Sequence, residues 1–194
     1  MGDGLSAALR PAPEGRREAV LDAALETFAR FGYRKTSMDD VAADARISRP
    51  GLYFLFSSKG ALFRAAIERA IELDLAMAQR ALAAPDRPLV DRVVEAFDHW
   101  AGRYVGPMGD VQALVSDNPG LLGPVAAAGP DRFQRMLDDA LRAEVRDPEA
   151  VVRTLISVSV GVKHQVADRV EYLERLRTAA ALLLDPLGCR ASRD

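Results

Sequence analysis

The spacing of apolar residues is helical almost throughout. Leu21, Ala24, Leu25 and Phe28 recur at steps of three and four from about Glu14, and Phe31-Gly32 closes the run with a residue suited to a left-handed C-terminal cap. Ser37 precedes Met38, Val41, Ala42 and Ala45, with Asp40 three residues on, which predicts a short helix opened by a capping box. Ser48 and Pro50 predict a third helix from about Arg49, because proline in a first turn sacrifices no intrahelical bond. Two short helices joined by a few residues make a helix-turn-helix.

Beyond Lys59-Gly60 a longer helix is expected to about Ala83, with Phe63, Ile67, Ile71 and Leu75 on one face, stopped by Pro85 and Pro88. A further amphipathic run from Leu89 carries Val90, Val93, Phe97, Trp100 and Tyr104 as far as Gly106-Pro107. Pro119, Pro124 and Pro130 break up the segment from Met108 to Asp131, so short helices and bends are expected there, followed by a helix from about Phe133 to Val145. Asp147-Pro148 starts the next helix, in which Leu155, Ile156, Val158, Val160 and Val162 leave little polar surface. Such a helix needs cover on every side. The last one, roughly Val170 to Leu187, offers Leu173, Leu176, Ala180 and Leu183, and the two together predict a four-helix bundle with a second copy of the chain.

Composition narrows the functional classes. The 194 residues are 49% hydrophobic and 28% charged with a net charge of −2, so attraction to nucleic acid must come from a local basic surface. Between Arg30 and Arg64 the bases Arg30, Arg34, Lys35, Arg46, Arg49, Lys59 and Arg64 outnumber Asp39, Asp40 and Asp44. Cys189 has no second cysteine, and His99 and His164 form no metal-binding spacing, so neither a metal nor a cofactor is expected. No nucleophile elbow, phosphate-binding loop or dinucleotide fingerprint is present, which argues against an enzyme. The glycine- and proline-bearing start lacks the apolar core of a signal peptide, and the longest apolar run, Thr154 to Val162, is too short to span a bilayer; a cytoplasmic protein with no membrane partner is expected.

The stretch from Thr36 to Leu62, TSMDDVAADARISRPGLYFLFSSKGAL, resembles the DNA-binding signature of the TetR/AcrR family in the threonine before the second helix, Val41-Ala42, Ile47-Ser48, Gly51-Leu52-Tyr53, Phe56, Ser58-Lys59 and Leu62. The resemblance implies an all-α fold: an N-terminal three-helix DNA-binding domain over 14–60, after a disordered tail over 1–13, and a helical ligand-binding and dimerisation domain over 61–194. It implies a homodimeric regulator, a repressor released from a palindromic operator by a small-molecule inducer; the alternative is a dimeric DNA-binding protein without an inducer. By alignment Thr36, Tyr53 and Lys59 look like phosphate contacts and Arg49, Gly51 and Phe54 like base-facing positions, with Ser48 capping its helix and touching the backbone. The family's turn usually carries glycine where this chain has Arg46, a residue expected to point at phosphate; a positive φ there costs on the order of 1 kcal/mol. In the C-terminal domain Phe97, Trp100, Tyr104, Met108, Phe133, Met136 and His164 are candidates for a ligand pocket, although each would serve equally well as packed core.

Overall fold

The computed structural model describes residues 13–106, 114–115 and 117–184, all in helices, 3-10 turns and the loops between them. Eight α-helices are delimited among the described residues: α1 Pro13–Phe31, α2 Met38–Asp44, α3 Arg49–Leu55, α4 Lys59–Leu82, α5 Leu89–Trp100, α6 Pro124–Leu141, α7 Pro148–Lys163 and α8 Arg169–Leu184. Short 3-10 turns lie at Gly102–Tyr104 and Pro119–Leu121. The chain divides into two compact units, Met1–Ala66 and Ile67–Asp194.

In the first unit the helix boundaries follow from local chemistry. Gly32 ends α1 with φ of +79°, and its N–H reaches Phe28 O at 2.8 Å. Ser37 and Asp40 form a reciprocal capping box at the start of α2, and the hydrogen bonds from Ser37 hold the Asp40 carboxyl below its ordinary range. Ser48 Oγ accepts from Gly51 N at 3.2 Å and so caps α3. Val20, Leu21, Ala24, Phe28, Val41, Leu52, Phe56, Leu62 and Phe63 are buried, and Phe28 meets Phe63 edge-on with centroids 5.1 Å apart.

The second unit closes around Phe97, Phe133, Leu137, Leu141, Val152, Leu155, Tyr172 and Leu176. Three departures from the sequence pattern occur here. First, α6 starts at Pro124 and runs through Pro130, where the prolines predict bends and a helix start near Phe133. Pro124 stands at the first helical position, where a missing N–H costs nothing, and Pro130 lies on the exposed side. Gly129, on the buried side, lets the helix close in: a Cβ there would stand 3.1 Å from Trp100 and 3.2 Å from Ile71. This packing offsets the lost bond at Pro130.

Second, α7 is less uniformly apolar than its sequence reads. Arg153, Thr154 and Ser157 are exposed, and the two hydroxyls donate back to Ala150 O and Arg153 O. The fifth helix also ends earlier than its pattern, at Trp100, and Tyr104 sits in the 3-10 turn beyond it. No helix among the described residues is long and apolar enough to cross a membrane.

Candidate nucleic-acid interface and ligand cavity

Four residues, 45–48, separate α2 from α3, and the turn is made by Arg46 at φ of +53°. It is the one non-glycine residue with positive φ among the described residues, so the conformation that favours glycine is indeed required there. Arg46 is exposed, and the strain it carries, about 1–2 kcal/mol, is tolerated by a turn otherwise closed by Arg46 N to Ala43 O and Ile47 N to Ala42 O, both at 3.0 Å.

Helix α3 sends Leu52 inward and leaves the other side open. Tyr53 is 43% and Phe54 89% exposed, and Arg49 and Pro50 are exposed as well. Residues four apart share a face, so the open side carries two neighbouring stripes: Arg49 with Tyr53, and Pro50 with Phe54. The Arg49 guanidinium lies 5.7 Å from the Tyr53 ring centroid, and its Nε is 3.1 Å from Asp39 Oδ1. At Gly51 a Cβ would stand 3.1 Å from Ser48 Oγ and crowd the cap.

Two of the positions aligned with phosphate contacts are occupied within the protein. Thr36 is 2% exposed and its hydroxyl donates to Gly32 O at 2.9 Å. Lys59 is half-buried; its ammonium donates to Tyr33 O and Thr36 O, both at 3.0 Å, and sits 4.5 Å from the Tyr33 ring centroid. The carbonyls of the α1–α2 loop need a donor, and Lys59 supplies it. Both residues therefore shape the loop that presents α2. Asp39 and Asp44, which enter the sequence pattern only as acids among the bases of this stretch, both have partners: Asp39 holds Arg49, and Asp44 accepts from Thr27 at 2.8 Å and Arg30 at 2.7 Å. Partners 14 and 17 residues apart leave no periodic trace.

In the second unit a cavity of about 120 Å³ opens between α5, α6 and α7. Phe97, Trp100, Phe133, Ile156 and Val160 give it apolar walls, and Asp131, Gln134, Ser159 and Lys163 supply polar groups. Trp100 and Phe133 stack with centroids 5.0 Å apart and planes 14° from parallel. Three of the expected pocket residues, Phe97, Trp100 and Phe133, line this space. Tyr104 and Met136 do not: Tyr104 is buried with its hydroxyl on Asp74, and Met136 packs on the core from the side. His164 is exposed at the end of α7; one step beyond Lys163 turns it about 100° away from the cavity. Met108 lies outside the described residues.

Elsewhere in this unit Asp74, on α4, is 2% exposed and accepts from Tyr104 and, at 2.7 Å, from Arg103. Burial pushes its carboxyl up to about 6 against the opposing pull of Tyr104 and Arg103. Burial and the neighbouring carboxylate push the Tyr104 hydroxyl up in turn. Sequence spacing gave no sign of Asp74, which sits on a helix face otherwise read as core.

Residues 20–66 match the family model of bacterial regulatory proteins of the tetR family. The matched segment, which contains α2 and α3, is thus similar to the DNA-binding region of that family. Over 65 residues the chain is 35% identical to the HTH-type transcriptional regulator RutR of Escherichia coli K12, a match covering 34% of this chain and 31% of RutR. The match to the HTH-type transcriptional activator FasR of Mycolicibacterium smegmatis is 37% over 84 residues, 42% of this chain and 38% of FasR. The chain thus spans about a third of the length of the curated relatives it matches first. Similarity over nearly the full length comes from structure: a TetR-like transcriptional regulator from Rhodococcus sp. RHA1 superposes with a TM-score of 0.65 at 26% identity, covering 91% of this chain and 100% of that one.

Proposed function

We propose that the chain is a dimeric, one-component regulator of transcription: a repressor that holds a palindromic operator through two copies of α3 and releases it when a small molecule enters the second unit. The observation that carries the reading is α3, an exposed helix with Arg49 at its start that lies within the residues matching the tetR family model. Arg49 serves as the guanine-reading fork, Tyr53 and the exposed Arg46 meet phosphates, and Ser48 holds the start of the helix. Two such heads must enter successive grooves about 34 Å apart, so a few ångströms of displacement suffices to break contact.

Dimerisation through α7 and α8 is supported by their uncovered apolar side chains. Val160, Val170 and Leu182 are 49, 65 and 76% exposed, more than a monomer's surface needs. The cavity against α7 supports an inducer with an apolar, ring-sized core. Its volume is closer to that of a cavity that accepts benzene than to a drug-sized pocket. That small size also favours the second reading, a dimeric DNA-binding protein controlled without an inducer.

The deciding experiment measures binding of the purified protein to its own upstream DNA and to random duplex at two salt concentrations. The reading expects a palindromic footprint, a preference over random DNA at physiological salt, and steep loss of affinity as salt rises. Equal affinity for both DNAs would sink it. Arg49→Ala should cost about 1–3 kcal/mol of discrimination at one base pair per half-site. A reporter placed behind the footprint reads the sign of regulation; rising expression on deletion of the gene marks a repressor.

A further inference from the structure

The reading helix carries an apolar group that hydrogen bonding cannot explain. Phe54 is 89% exposed, more than any other large hydrophobic side chain among the described residues, and it shares a face with exposed Pro50. Leu52 and Phe56 already fill the inward side of α3, so Phe54 adds nothing to the core. A phenyl ring has no donor for a phosphate or for a polar base edge. The major groove offers such a ring one apolar partner, the C5-methyl group of thymine.

We infer that Phe54, backed by Pro50, is a methyl reader: each half of the bound DNA site presents a thymine methyl to this stripe, close to the guanine read by Arg49. This rests on α3 entering the major groove as set out above. The division of labour follows from the helix itself. Arg49 is turned toward Tyr53 and held by Asp39 on one stripe, which leaves Pro50 and Phe54 as an uncharged neighbouring stripe. Phe54 lies five positions beyond Arg49, about 7.5 Å along a helix axis and so about two base-pair steps. The methyl at C5 of 5-methylcytosine occupies the same place in the groove, so the stripe recognises the methyl and not the rest of the thymine ring.

The test starts from purified full-length protein and a random-sequence duplex library. Selected sites should contain guanine and thymine within about two steps of each other in both halves. Replacing that thymine by uracil removes one methyl and nothing else; it should weaken wild-type binding about three- to fivefold per half-site. Phe54→Ala should lose the same factor on thymine DNA and become indifferent to uracil, whereas Phe54→Leu should retain part of the preference. With cytosine at that position, 5-methylation should strengthen wild-type binding and leave Phe54→Ala unmoved. The melting temperature of Phe54→Ala should match wild type, since the ring touches no core.

Selected sites lacking thymine there, or a uracil effect equal in wild type and Phe54→Ala, would overturn the proposal while leaving sequence-specific binding by α3 intact. Loss of self-association in Phe54→Ala would overturn it too, by assigning the ring to a protein partner. Enrichment of no sequence at all would defeat both this inference and the reading beneath it.

Discussion

The two units handle their polar and aromatic side chains in opposite ways. In the first, the aromatic and basic groups of α3 stand in solvent on a seven-residue helix capped by Ser48, as α2 before it is capped by Ser37, each cap made within three residues. In the second, they are paired with residues farther along the chain, inward for Tyr104 with Asp74 and Ser159 with Tyr172, and nearer the surface for Arg103 with Asp74, Arg92 with Glu144 and Arg169 with Asp98. A surface built to meet a partner can be specified by short-range rules because nothing else in the protein has to fit it. A core that encloses a cavity is specified by coincidences between distant residues.

The sharpest way to break this contrast is to truncate one aromatic in each unit. Phe133 is 1% exposed, stacks on Trp100 and meets Phe97 edge-on at 5.1 Å, so Phe133→Ala should lower stability by about 3–5 kcal/mol in a denaturant titration. Phe54→Ala should change it by less than about 0.5 kcal/mol. Comparable losses would mean that α3 is not the free surface described.

Asp74 tests the inward pairing by pH. Its carboxyl is raised in the folded state, so its contribution to stability is fully present below the ordinary 3.8 and is lost as pH rises through about 6. A shift of that size corresponds to about 2–3 kcal/mol. Urea midpoints of wild type and Asp74→Asn at pH 4 and pH 7.5 should therefore differ in their pH response, with wild type losing ground to the variant at the higher pH. Parallel responses would place the carboxyl in a wetter setting.

Lys59→Met addresses a residue on which alignment and geometry disagree. Loss of its bonds to Tyr33 O and Thr36 O should cost about 1–3 kcal/mol of stability and leave the salt dependence of DNA binding unchanged. A slope reduced by about one would instead return Lys59 to the phosphate backbone. The smallest effect belongs to Arg46→Gly, which should stabilise the protein by about 1 kcal/mol by relieving the +53° φ, while weakening binding to all DNA sequences alike.

The same division explains what could be read from the chain beforehand. Capping signals placed α2 and α3 closely, and Gly32 marked the end of α1, because each signal and its consequence lie within a few residues. Tyr53 and Phe54 are adjacent on a short helix and cannot both turn inward, so the exposure of at least one of them is a local consequence of the sequence. Pro130 misled because its penalty is local while its compensation, the close approach of Gly129 to Trp100 and Ile71, comes from two other helices. The cavity lining was half legible for a similar reason: Phe97, Trp100 and Phe133 are aromatic and conspicuous, but Ala101, Ile156 and Val160 have nothing in their identity that distinguishes wall from filler.

Trp100 is the only tryptophan in the chain, and it forms one wall of the cavity while its far edge presses on Gly129. The protein consequently carries its own optical probe. A molecule that settles against Phe133 changes the surroundings of a single indole, and its emission reports occupancy without label or background, so a library of compounds can be screened by fluorescence before any operator is known.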